Sequence, residues 1–303
     1  MKYKTFIPFV CGAGASTPGC EYGPPDLKKR GLTERISNSG WLDDPEVIAQ
    51  DHEFGLKTQQ NPGGTRSEKR REIVLHHCRY LRDKVEDTVR QGDFPVTLGG
   101  DHAMVAGSVA GLARAKAAHG KTGLIWFDTH ADMNTPQTSK SGALHGMPLA
   151  ALLGYGDPDM TGLGGGKGPV LNPSHIFQIG LRDIEPQEQE LMTVLGVQNI
   201  SAAEVKEIGV KAAFDMAFSA LEGKIDALAV SIDLDGFDPQ DAPAVGTPVK
   251  NGIRLAEFLP VWHDITSEKH IDLLEIAEYN PTLPGADTTY DAIVSILKQT
   301  VTL

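Results

Sequence analysis

Six residues of metal-binding type stand at three separated places in the chain: His102, the set Asp128, His130 and Asp132, and the pair Asp233 and Asp235. The central set closes an apolar run, Leu124 to Phe127, that reads as a strand. Side chains at alternate positions of an extended segment point the same way, so these three ligands are expected to converge at the strand's exit. Asp233-Leu-Asp235 repeats the spacing after the apolar run Ala227–Ile232. His102 follows another candidate strand through Gly99-Gly100-Asp101, where glycines allow a tight turn and a close approach. One such turn is ordinary on a protein surface; its recurrence at three strand exits points to a site. Carboxylate and imidazole donors without thiolate suit divalent first-row metals such as Mn²⁺. Four carboxylates balance two divalent ions in charge, and two of them can bridge. The chemistry such a site serves is two-metal hydrolysis, in which the pKa of bound water falls from about 15.7 to about 7. With hydroxide added the site is slightly negative, so it welcomes a cation and disfavours a phosphate.

The elements that must position these groups follow from periodicity and from breakers. Strands are predicted at Lys4–Phe9, Phe94–Leu98, Gly123–Phe127, Ser174–Gly180, Ala227–Ile232 and Ile271–Ile276. Helices are predicted at Ser67–Gln91, Met104–His119, through Leu153 after Pro148, from Pro186, at Val210–Leu221, Leu255–Ile265 and Thr288–Thr300. This alternation implies an α/β fold, a three-layer α/β/α arrangement on a mostly parallel, doubly wound sheet. All parallel strands of such a sheet leave along one edge, which is where these folds place ligands. Gly12 to Pro25 reads as a loop able to approach a ligand, but Thr17 stands where a dinucleotide fingerprint needs its third glycine. Trp41 to Gly64 reads as irregular, with Asn61-Pro62-Gly63-Gly64 as a breaker. Gly162 to Gly168 fails the Walker spacing at both ends and reads as a surface loop, while His76 and His77 read as helix-packing histidines.

With 303 residues, 40% of them hydrophobic, the chain can bury a full core, and a single domain over residues 1–303 is expected. A net charge of −12 excludes a nucleic-acid partner, which needs a basic face, and mildly favours a cationic substrate. Cys11, Cys20 and Cys78 are odd in number and lack a C-x-x-C pair, so neither a disulfide framework nor a thiolate zinc site is expected. The N-terminus has no apolar leader and no stretch has the length of a membrane span, so a soluble, cytoplasmic protein is expected.

Gly-Gly-Asp101-His102, Asp128-Thr-His130-Ala-Asp132 and Ser231-Ile-Asp233-Leu-Asp235-Gly-Phe-Asp238-Pro are similar to the three signatures of the ureohydrolase family of arginases and agmatinases. The resemblance spans most of the chain. It is closest to the arginases, through the length of the Asn134–Gly146 loop and its Ser-Gly-x-Leu-His-Gly ending, and through Gly180-Leu-Arg-Asp183 and Gly246-Thr-Pro248. It implies a central sheet of about eight strands, two Mn²⁺ per chain with Ni²⁺ or Co²⁺ as substitutes, a guanidino substrate, urea as product, and a homo-oligomer, trimer or hexamer. One ion would take His102, Asp128, Asp132 and Asp233; the other would take Asp128, His130, Asp233 and Asp235, with Asp128 and Asp233 bridging. His145, with an ordinary pKa near ~6.5, is implied as proton shuttle and Glu278 as partner of the guanidinium, with Asp132 counted among the catalytic groups. Asn134, Ser139, Ser141, Asp183, Glu185 and Thr247 are implied to hold the substrate.

The match to the arginase pattern is incomplete at the amino-acid head of the substrate. Ala143 stands where an Asn is usual, Glu185 where an Asp is usual, and Ser139 replaces a Thr. Three readings follow. The first is hydrolysis of L-arginine to L-ornithine. The second is a ureohydrolase for guanidinobutyrate, agmatine, guanidine or a biguanide. The third is an inactive structural or regulatory member, against which the complete ligand set, His145 and Glu278 argue.

Overall fold

The structure is a computed structural model that describes residues 2–42, 66–118 and 120–302. Most of the irregular stretch expected at Trp41–Gly64, and His119, lie outside the described residues. Among the described residues eight strands form one sheet in which every pairing is parallel: β1 (Lys4–Phe9), β2 (Ser39–Trp41), β3 (Phe94–Gly99), β4 (Thr122–Phe127), β5 (Ile176–Leu181), β6 (Gln198–Ser201), β7 (Ala227–Asp233) and β8 (Leu273–Ala277). Their order is β2-β1-β3-β8-β7-β4-β5-β6. The chain steps from β3 over two places to β4, runs outward to β6, and returns to fill the gap with β7 and β8. Crevices at such reversals of strand order are where open α/β sheets bind ligands.

A parallel sheet is covered on both faces, so its strands read as unbroken apolar runs, as in the fully buried Thr-Gly-Leu-Ile-Trp-Phe of β4. Successive side chains alternate between the two cores. Ile125 and Phe127 pack with Phe214, Phe258 and Trp262 on one face, while Leu124 and Trp126 pack with Val74, Leu81 and Val109 on the other. On this second face the helix Met104–Lys116 lies against the helix Arg66–Gln91 at a distance that admits no side chain at two positions. A Cβ on Gly107 would stand 2.4 Å from the Cys78 carbonyl oxygen, and one on Gly111 would stand 2.4 Å from that of Arg82.

Several elements among the described residues escape the periodicity argument. β2 and β6 are edge strands, and β6 is a mostly exposed Gln-Asn-Ile-Ser without an apolar run. The helix Ala202–Ile208 is announced by the capping box of Ser201 and Glu204, a signal in the sequence that the expectation did not use. The loop expected through Pro25 ends earlier, because a helix occupies Gly23–Lys29 and is followed by a second at Leu32–Arg35. Its Pro24-Pro25 is suited to a first turn. Gly162–Gly168 is less free than a surface loop, since Gly162–Gly164 forms a 3-10 turn with Leu163 buried in the core. Among the described residues no helix is long and apolar enough to cross a membrane.

The glycine seam makes a stability prediction. Gly107→Ala and Gly111→Ala should each destabilise the protein by about 1–3 kcal/mol, because the contacted atoms are backbone and cannot swing away. Gly162→Ala, with nothing within 4 Å, should be nearly neutral in the same urea denaturation. Equal midpoints for all three variants would contradict the packing argument.

Candidate active site

The expectation that Asp128, His130 and Asp132 converge because the chain is extended needs correction: β4 ends at Phe127, and Asp132 lies in the left-handed region with φ 49°. A turn built by the first carboxylate does the work instead. Asp128 Oδ1 accepts the His130 N–H at 2.7 Å, and Asp233 Oδ1 accepts the Asp235 N–H at 2.9 Å. Asp101 does the same for Ala103 at 3.1 Å. Asp readily accepts a hydrogen bond from the backbone two residues on, which curls the chain. At both Asp128 and Asp233 one oxygen curls the exit and the other is delivered to the centre.

That centre joins the exits of β3, β4 and β7, with β8 between. His102 Nδ1 lies 3.1 Å from Asp128 Oδ2, 3.3 Å from Asp132 Oδ2 and 3.0 Å from Asp233 Oδ2. His130 Nδ1 lies 3.2 Å from Asp235 Oδ2 and 3.5 Å from Asp128 Oδ1. Donor atoms of His102, Asp128 and Asp132 fall within 4.8 Å of one another, and so do those of Asp128, His130 and Asp235. Asp128 belongs to both groups, while Asp233 stands beside His102.

Electrostatics shows what this arrangement lacks. Burial raises the Asp132 carboxyl to about 6, assisted by repulsion from Asp128, and burial with repulsion from Asp235 and Asp128 raises Asp233 as well. Burial opposes charge on His102 too, but Asp128, Asp132 and Asp233 outweigh it and raise that imidazole. His102 Nδ1, Asp128 Oδ2 and Asp235 Oδ1 are buried without a hydrogen-bond partner among the described residues. Leaving a buried polar atom unsatisfied costs about 1–3 kcal/mol, and more for a charged one. Oxygen and imidazole donors gathered with unsatisfied lone pairs fit divalent cations, with one group around His102 and one around His130.

Groups that the sequence reading missed hold this cluster in place. His102 Nε2 meets Ser231 Oγ at 2.8 Å, Ser231 Oγ donates to Glu275 Oε1 at 2.9 Å, and Thr97 and Ser108 hydroxyls donate to Glu275 Oε2. The ring also stacks on Trp126 at 4.2 Å. Hydrogen bonding at the far nitrogen fixes ring orientation and leaves Nδ1 for the centre. A Glu inside the apolar Leu-Leu-Glu-Ile-Ala of β8 was the available signal, since a fully buried carboxylate is rare unless partnered. Arg182 clamps the other exit: its guanidinium donates to the carbonyls of Asp235, Gly236, Phe237 and Val249, and Thr129 Oγ1 donates to the Asp235 carbonyl at 2.6 Å. Thr247, expected to contact substrate, donates its hydroxyl to Asp235 Oδ2 at 2.9 Å and thereby orients a carboxylate of the cluster.

Beside the cluster, Glu278 also sits in the left-handed region, with φ 69°. Its Oε1 accepts the His102 N–H and meets His145 Nδ1, both at 2.9 Å, while its buried Oε2 has no hydrogen-bond partner among the described residues. Burial opposes the Glu278 charge, but His145 outweighs it and holds the carboxyl below its ordinary value. The His145 imidazole is displaced from its ordinary value in turn. Burial lowers it, Glu278 more than compensates, and the pKa rises to about 9.

The residues expected at the substrate's amino-acid head form a more open rim above this buried floor. Asn134 Nδ2 donates to Glu185 Oε2 at 2.9 Å, and Lys140, a residue not singled out in the sequence, reaches Glu185 Oε1 at 3.4 Å. Ser139 and Ser141 hydroxyls lie 3.4 Å apart and accept the N–H groups of Gly142 and Ala143. Asp183 is exposed, with its carboxylate 3.8 Å from His130 Nε2. Ala143 is buried and brings no polar side chain.

Because Asp128 belongs to both donor groups, Asp128→Ala should abolish binding of both ions, whereas Asp235→Ala should leave the His102 group able to hold one. Metal per chain after dialysis, measured by elemental analysis, checks this. Equal retention in the two variants would remove Asp128 from its shared position.

Comparison with known proteins agrees with this geometry. The model of the Arginase family matches residues 6–302. The chain is 32% identical over 297 residues to an arginase of Bacillus caldovelox, covering 98% of this chain and 97% of that protein. It is 36% identical over 275 residues to Arginase-1 of Rattus norvegicus, covering 89% of this chain and 82% of that one. The solved native structure of the Bacillus caldovelox arginase superposes with a TM-score of 0.86 at 30% identity, covering 99% of this chain and 98% of that one. With the cluster at the strand exits and near-complete coverage by these relatives, the chain belongs to the arginase family.

Proposed function

We propose that this protein, working as one catalytic domain, hydrolyses the guanidino group of L-arginine to give urea and L-ornithine, with two divalent ions, Mn²⁺ foremost and Ni²⁺ or Co²⁺ as substitutes. The observation that carries this reading is Glu278 Oε2, a buried carboxylate oxygen without a partner among the described residues, beside two donor groups that share Asp128. Bound there, ions of this kind supply a nucleophile from water at neutral pH. His102, Asp128, Asp132 and Asp233 would hold one, and His130, Asp235 and the shared Asp128 and Asp233 the other.

Glu278 binds the guanidinium through a charge-assisted hydrogen bond and orients its carbon toward the cluster. The C–N bond that breaks is the one to the side-chain nitrogen, which must leave as an amine and needs a proton. His145 carries one, since the carboxylate of Glu278 favours its imidazolium form. With ions held at Asp132 the rise in its pKa would be smaller, and the ring would stand closer to the range where it both gives and regains a proton. At the rim, Asn134, Ser139, Ser141 and the Lys140 ammonium serve the α-carboxylate, and Asp183 and Glu185 serve the α-amino group. Membership of the family supports a homo-oligomer, trimer or hexamer, and the buried thiols of Cys11, Cys20 and Cys78 suit a cytoplasmic place of work.

A second reading, hydrolysis of a guanidino compound without an amino-acid head, is favoured by two observations. Ala143 offers no amide, and Glu185 is already engaged by Asn134 and Lys140.

Two predictions follow from this chemistry. In the metal-free protein, NMR titration of the His145 ring should show a midpoint near 9, and Glu278→Gln should move it down toward the ordinary ~6.5. An unmoved midpoint would disconnect the pair. For specificity, kcat/KM for arginine should exceed that for agmatine, guanidinobutyrate and guanidine. Lys140→Met should lower the arginine value alone, by about tenfold, the scale of one charged hydrogen bond at ~1.5 kcal/mol. If a headless compound is preferred, and Ala143→Asn with Glu185→Asp restores arginine by roughly one to two decades, the second reading replaces the first.

A further inference from the structure

The N-terminal turn Gly12–Ala15 is threaded between the helix Arg66–Gln91 and the floor of the site. Gly14 is its centre. The Gly14 N–H donates to Asp101 Oδ2 at 2.7 Å, and the Gly14 carbonyl accepts the backbone N–H of His145 at 3.3 Å. A Cβ at Gly14 would stand 2.5 Å from Asp101 Oδ1, so only glycine permits this approach. On either side of it, the Arg70 guanidinium takes a carbonyl: Nε donates to Ala13 O at 2.6 Å and Nη2 donates to Ala15 O. Arg70 stands on a helix whose Val74, Leu75 and Cys78 are buried in the core, so its base is fixed.

His145 is therefore located at two points, its ring by Glu278 and its main chain by the Gly14 carbonyl. We propose that Arg70 is a positioning residue for His145, acting through the peptide groups on both sides of Gly14. The proposal rests on the reading of His145 as proton donor. The planar guanidinium fork fixes two carbonyls in one geometry, and with them the tilt of the Gly14 peptide that His145 binds. Misplacement of a catalytic group by about 1 Å can cost on the order of 100-fold in rate, so partial loosening of the turn should cost about tenfold.

The test is a double-mutant cycle on the metal-loaded full chain. Arg70→Met should lower kcat about tenfold, change KM less than twofold, and leave metal content unchanged. In a His145→Asn background the same substitution should cost nothing further, because the group it positions is gone. Arg70→Lys, which reaches only one carbonyl, should recover part of the loss, and it carries the same cycle if Arg70→Met does not fold. An equal loss in both backgrounds, loss of metal, or unchanged kcat would each overturn the proposal. If His145→Asn alone leaves kcat unchanged, the proton-donor reading falls and this proposal with it. If His145→Asn lowers kcat but the cycle is additive, only the role of Arg70 falls.

Discussion

Four carboxylates and two imidazoles brought within a few ångströms of one another, almost wholly out of water, repel or starve one another unless positive charge is shared among them. The fold accepts this constraint at the one place where its backbone already supplies compensation. Strand exits leave N–H groups without ladder partners, and the carboxylates of Asp101, Asp128 and Asp233 each satisfy one of them two residues on. The same bond that relieves the backbone aims the second oxygen of Asp128 and Asp233 at His102. The capacity to hold metal is thus a property of the turns rather than of loops added to the sheet.

Polar groups behind the cluster make it rigid. The Ser231–Glu275 pair behind His102, and Arg182 with Thr129 on the carbonyl of Asp235, each lock one side, while packed helices press the strands together from both faces. The rim obeys different rules. Lys140 and Asp183 are exposed and connected by few bonds, so this region can vary in sequence without disturbing the floor. The rigid cluster and the looser rim are separated by depth.

Much of this was legible in the sequence because burial on both faces writes parallel strands as apolar runs, and because Asp and His at their ends interrupt those runs abruptly. β1 and every residue of the two donor groups were found this way. Edge strands β2 and β6 were not, since an edge needs little apolar surface. The geometry at Asp128 to Asp132 was anticipated for the wrong physical reason, extension in place of a curled turn. The raised pKa of His145 depends on Glu278, 133 positions later in the chain, and no local pattern could convey it. Arg70, Arg182 and Glu275 act on partners equally remote, and only their types hinted at a role.

The strand order has a consequence for biosynthesis. β8, which carries Glu275 and leads into Glu278, is seated between β3 and β7, so Thr97 meets a partner 178 residues downstream. A ribosome releases β3 and β4 long before the two strands that join them, and until then each half presents an unpaired interior edge. The hydrolytic centre cannot exist on a nascent chain. It appears at once when the last strand slots into the middle, which makes a late truncation as damaging as an early one and leaves the growing polypeptide reliant on protection of those edges until synthesis is nearly complete.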